Sequence, residues 1–93
     1  MRRDTRTPRD HLVDGEWPHG HIEGPWAAHV VANVARTLEL VLADRTLRSV
    51  ADGAGVPAST LWALLHGHTW PQVTTIARLE EHLGTSLWPP RDR

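Results

Sequence analysis

Two His-Gly-His triplets, His19-Gly20-His21 and His66-Gly67-His68, have residue types that could do chemistry, and that chemistry would be metal ligation. Zinc ligands on a helix recur at i and i+4 and are joined by further donors at set spacings. Neither triplet has that spacing, and the chain contains no cysteine. The histidines are therefore expected to be solvated, with no metal bound. The missing thiol also excludes a disulfide scaffold, a Cys-ligated zinc finger, an iron–sulfur site and a cysteine nucleophile. No Gly-x-Ser-x-Gly elbow and no phosphate loop occurs, and Glu80-Glu81 falls on a helical face expected to be solvated. No catalytic residue and no cofactor is expected. The reading is a binding module rather than an enzyme.

Charge narrows what it could bind. Ten basic residues, all arginine, stand against eleven acidic ones, giving −1 with histidine neutral. The whole-chain charge leaves no nucleic-acid footprint, so any anion-binding surface must be local. Ninety-three residues suffice for one small domain. No apolar run approaches the roughly 18 residues of a membrane span, and the N-terminus lacks a signal-peptide core. A cytoplasmic protein without membrane contact is expected.

The elements that must position any site follow from periodicity. Residues 1–25 hold three prolines, three glycines, four arginines and five acids, and read as an extended or partly disordered arm. Only Leu12, Val13, Trp17 and Ile22 could dock. From Trp26 to Asp44, apolar residues at three- and four-residue steps (Trp26, Val30, Val34, Leu38, Val41, Leu42) predict a first helix. Thr46 caps a second over 47–54, and Gly55 ends it. Gly53 inside that helix costs about 1 kcal/mol relative to alanine. Pro57 opens a third helix over about 57–66, with Leu61, Leu64 and Leu65 apolar. Gln72–Leu83 is a fourth, with Val73, Ile76, Ala77, Leu79 and Leu83 inward, before Pro89 and Pro90 forbid continuation. No strand is predicted. The domain thus spans 26–88, followed by a short tail, 89–93.

One spacing is specific. Val50, Ala51, Ala54, Gly55, Val56, Leu61 and Leu64 meet the demands of a helix-turn-helix. Ala51 is small where the next helix crosses, Gly55 can reach positive φ in the turn, and Val56 plugs the gap between the helices. The stretch Thr46–Leu87, through "SVA…GV..STL..LL.G" and "P..TI.RLE..LG.SL", resembles the Cro/repressor-type (xenobiotic-response-element) helix-turn-helix family.

The resemblance implies an all-α, compact four- to five-helix bundle of the lambda-repressor-like type. It implies a sequence-specific transcriptional regulator whose third helix enters the major groove of double-stranded DNA, as a homodimer. Carried over residue by residue, it assigns base contact to Ala58, Ser59, Thr60, Trp62 and Ala63. It assigns phosphate contact to Thr46, Leu47, Arg48, His66, His68 and Thr69, with Trp70 in the same loop. The alternative is a helix-turn-helix used mainly for protein–protein contact, as an antitoxin-like partner would be, through an apolar patch of Trp62 and Trp70. Pro89 and Pro90 cut off the family's fifth helix, so the arm is expected to cover the first and fourth helices in its stead.

Overall fold

In the computed structural model, which describes residues 6–89, the apolar stripe beginning at Trp26 forms α1, Trp26–Val41. Ala28, Val30, Val31, Ala32, Val34, Ala35 and Leu38 are buried along it. It stops at Val41 rather than 44: Leu42 N–H makes the last helical bond, to Leu38 O (2.8 Å), and Ala43 N–H turns tighter onto Leu40 O (3.4 Å). Three shorter helices follow: α2, Leu47–Ala54; α3, Ala58–Leu65; and α4, Val73–Leu83. Val34, Leu38, Val50, Ala51, Val56, Leu61, Leu64, Ile76, Leu79 and Leu87 share one core. The expected inward set of α4 is only partly right. Ile76 and Leu79 are buried and Leu83 is half-buried, whereas Ala77 is exposed and Val73 is 74% exposed.

The stretch before Trp26 overturns the all-α expectation. A 3₁₀ turn at Pro8–His11 leads into β1, Leu12–Asp14, which pairs antiparallel with β2, His21–Ile22. Strands of three and two residues are too short to show alternation in a sequence, which is why no strand was foreseen. The 3₁₀ turn is closed at its start by Thr7 N–H donating to the Asp10 carboxylate (2.8 Å). That bond holds the Asp10 carboxyl below the usual range.

Nor are residues 6–25 an extended or disordered arm. Ile22 is buried against Ala28 and Ala32 of α1. Arg36 Nη1 donates to Pro18 O (3.0 Å). Trp17 reaches across to the end of α3, its Nε1 donating to Leu65 O (3.1 Å). The segment therefore covers α1 and the end of α3, not α4. The side between α1 and α4 is closed by Leu87, fully buried, whose carbonyl accepts from Asn33 Nδ2 (3.3 Å). Glu80 completes that closure. Its carboxylate accepts from Leu87 N–H (2.7 Å) and Trp88 N–H (3.1 Å), so it is a cap for the C-terminal segment and not the solvated charge expected.

His11 departs from expectation too. It is buried, its ring lying against Gly24 and edge-on to Trp70 at 6.1 Å, and its Nε2 has no partner among the described residues. It is a core histidine. The expected tail 89–93 lies, apart from Pro89, outside the described residues.

Gly53 gains a reason that propensity alone does not supply. A Cβ added there would overlap the His82 imidazole of α4. Gly53→Ala should therefore bring little or no stability, despite the ~1 kcal/mol helix-propensity gain. Gly53→Ala combined with His82→Ala should recover it, raising the melting temperature by about 4–8 °C relative to His82→Ala. Thermal denaturation of the single and double variants measures the difference.

Candidate nucleic-acid interface

The joint between α2 and α3 is built from the residues singled out by spacing. Thr46 Oγ1 accepts from Ser49 N–H (3.0 Å), and Ser49 Oγ donates back to Thr46 O (3.0 Å), so α2 begins on a reciprocal cap. Gly55 ends it at φ 72°, a left-handed conformation that a β-carbon would strain. Val56 N–H then bonds Ala51 O (2.9 Å), closing the turn, while the Val56 side chain is buried between the helices. Ala51 is fully buried. Pro57 is the N-cap of α3, and His66 is its C-cap.

With Leu61 and Leu64 buried in the core, α3 turns Ser59, Trp62, Ala63 and His66 outward at i, i+3, i+4 and i+7. Trp62 is 48% exposed and lies parallel to two imidazoles, with His66 at 4.2 Å and His68 at 5.5 Å between ring centroids. The imidazoles lie 6.4 Å from each other, closer than two rings stacked on opposite faces of an indole would be. Both therefore cover the same face of Trp62, and about half of that residue remains exposed. His66 Nδ1–H donates to Trp62 O (3.1 Å), which fixes this arrangement. The second triplet is thus part of an aromatic stack rather than a set of free side chains.

Arg9, which sequence reasoning left out, reaches this stack from the N-terminal segment. Its backbone N–H donates to Gly67 O (3.0 Å), and its Nη1 reaches His66 O (3.2 Å) and His68 Nε2 (3.4 Å). A hydrogen bond from Arg9 requires His68 Nε2 to be the bare nitrogen. Burial, then His68, then Arg9 hold the His66 pKa below the ordinary histidine value. No short-range pattern joins Arg9 to His66. Only the folding of the segment onto α3 brings this cation to a helix that has none of its own.

The remaining candidates separate. Thr60 and Thr69 open onto a polar cavity of about 400 Å³ between the starts of α3 and α4, together with Gln72, Thr74, Thr75 and Arg78. Arg78, also not foreseen, donates to Gly55 O (3.3 Å). Arg48 is exposed at the start of α2, whereas Leu47 and Ala58 pack their side chains against the core. Trp62 and Trp70 do not form one patch. Trp70 donates its Nε1 to Arg6 O (2.8 Å) and lines a trough with Trp26 and Trp88.

Among the described residues, no group of three or more His, Cys, Asp or Glu side chains could hold a metal ion, and no helix is long and apolar enough to cross a membrane. Set against protein-family models, curated proteins and solved structures, the chain matches none, so the likeness to the Cro/repressor type rests on its own residues.

Proposed function

We propose that this chain is a sequence-specific DNA-binding transcriptional regulator that lays α3 in the major groove. The observation that carries the reading is the α2–Gly55–α3 joint. Ala51 and Val56 are buried inside it, while Ser59, Trp62 and Ala63 form an outward row with Arg9 at its His66 end, and Arg48 is exposed at the start of α2. Ser59 supplies a short polar contact, and Ala63 with the exposed part of Trp62 suits the thymine methyl group. Arg48 and Arg9 serve as phosphate anchors, and the Thr60–Thr69–Arg78 cavity extends the polar rim. The test is an NMR footprint of the full chain on a random-sequence duplex at low salt. Shifts gathered on Arg9, Arg48, Ser59, Trp62 and Ala63 support the reading. Shifts gathered on Trp26, Val73 and Trp88 instead favour a protein-contact module.

Acid should affect this surface less than two ordinary histidines would imply. Because burial depresses the His66 pKa, the unfolded chain binds that proton more readily than the folded one. The His66 contribution to stability is thus complete above the unfolded value near 6.5 and is lost as pH falls below it toward the depressed folded value. His66→Gln should flatten the decline in melting temperature as pH falls below about 6.5. Any gain in DNA affinity from His66 protonation should need a lower pH than an ordinary histidine requires, unless bound phosphate draws the proton on. Melting curves and duplex titrations at matched pH values check both statements.

A further inference from the structure

Three of the five tryptophans border one trough, and each is held there by a different contact. Trp26, at the start of α1, stacks on His29 at 6.2 Å between ring centroids. Trp70, in the loop before α4, donates its Nε1 to Arg6 O (2.8 Å) and meets the His11 ring edge-on at 6.1 Å. Trp88 is anchored through its backbone N–H, which donates to the Glu80 carboxylate (3.1 Å). The indoles wall an apolar hollow of about 300 Å³, completed by Val30, Val31 and Pro71. None of its lining side chains is charged, and the Trp70 N–H is already engaged.

We infer that this hollow binds a small quaternary ammonium compound, a cation whose nitrogen carries only carbon substituents. The choice of guest follows from the walls. A cation is drawn to the quadrupole of an aromatic ring, and indole attracts it more strongly than the other aromatic side chains do. Aliphatic side chains would serve a purely apolar guest as well; the floor, Val30 and Val31, is built that way and the walls are not. A primary ammonium or a guanidinium is unsuited, because its N–H donors would meet no side-chain acceptor in the lining, and a buried donor left unpaired is costly. A quaternary nitrogen has no donor to leave unpaired. An anion, in turn, would meet no cationic side chain in the lining. Size sets the last limit. Small-molecule sites run from about 300 to 1,000 Å³. This hollow, at the lower end, suits a free compound of choline's size rather than a length of peptide.

No residue of the outward row on α3 lines the hollow, so its test contains no DNA. Choline chloride is titrated into the full chain against sodium chloride at equal ionic strength. It should move the indole N–H NMR signals of Trp26, Trp70 and Trp88 and leave that of Trp62 in place. The neutral isostere of choline, with a tert-butyl group replacing the trimethylammonium, should bind about 10- to 100-fold more weakly. Ethanolamine, a primary ammonium, should bind more weakly than choline as well. Trp88→Leu keeps the wall apolar and removes its π face. Choline binding should then weaken about two- to fivefold, with isostere binding and helical circular dichroism unchanged. Trp62→Leu should alter neither affinity. Equal binding of choline and the isostere would reduce the hollow to an apolar cleft and overturn the inference. So would an absence of shifts at about 100 mM choline, or Trp88→Leu that leaves choline affinity intact. A trimethyllysine peptide bound about tenfold or more tightly than choline would overturn it in favour of a protein partner.

Discussion

Replacing Trp17 with alanine should lower the melting temperature by about 10–20 °C. The Trp17 indole lies on Gly67, and its Nε1 bonds the Leu65 carbonyl at the end of α3. Truncating a fully buried tryptophan costs about 3–5 kcal/mol, and Trp17 is only half-buried, so about 2–3 kcal/mol is expected. For a domain of this size each kcal/mol shifts the midpoint by about 4–8 °C. Gly67→Ala should be similarly damaging, for two separate reasons. Its φ of 72° disfavours a side chain, and a Cβ would fall 2.5 Å from the Trp17 ring. Val13→Ala, at an exposed position of β1, is the control and should change the midpoint by little. Thermal unfolding followed by circular dichroism, with limited proteolysis between residues 6 and 25, reads all three. If Trp17→Ala melts like the parent, the segment is not bound to the helices as described.

The second large effect concerns DNA. Trp62→Ala should change which duplex is preferred, reducing discrimination by less than the about 1–3 kcal/mol of a bidentate base contact, because the indole offers a thymine methyl only apolar contact. Arg9→Ala should act differently. It removes a cation that the N-terminal segment delivers to the end of α3, so all sequences should weaken alike and the salt slope should fall by about 1. The Arg9 backbone bond to Gly67 O survives that change, so the segment stays in place. Fluorescence-anisotropy titrations of both variants, each shown to be folded, at several salt concentrations separate the two behaviours. Trp62→Ala that leaves preference intact would remove Trp62 from the reading surface.

What could be read from the sequence was whatever is decided locally. Ala51, Gly55 and Val56 sit within six positions, and each is constrained by its immediate turn, so the α2–α3 joint could be written down before the fold was seen. Leu38, Leu61, Leu64 and Leu79 were legible for the same reason, since helical period alone turns them inward. Val73 and Ala77 show where period fails. They lie within the same broad apolar arc as Ile76, but both are left exposed among the described residues. The N-terminal segment was illegible because its partners are remote. Trp17 bonds a carbonyl 48 positions away, and Arg9 reaches His68 across 59. Glu80 read as a surface acid because its partners, Leu87 and Trp88, lie beyond the helix that carries it. The candidate site divides along the same line. The outward row on α3 follows from spacing, and the cation beside it does not.

Selection of bound sequences from a random duplex pool, at low and at physiological salt, tests the central claim most directly. The account predicts enrichment of one short motif at both salts. That motif should appear as two inverted half-sites, as a two-fold dimer presenting α3 twice would require. Retention of duplexes without enrichment at low salt, lost altogether at physiological salt, would leave only non-specific attraction and contradict it.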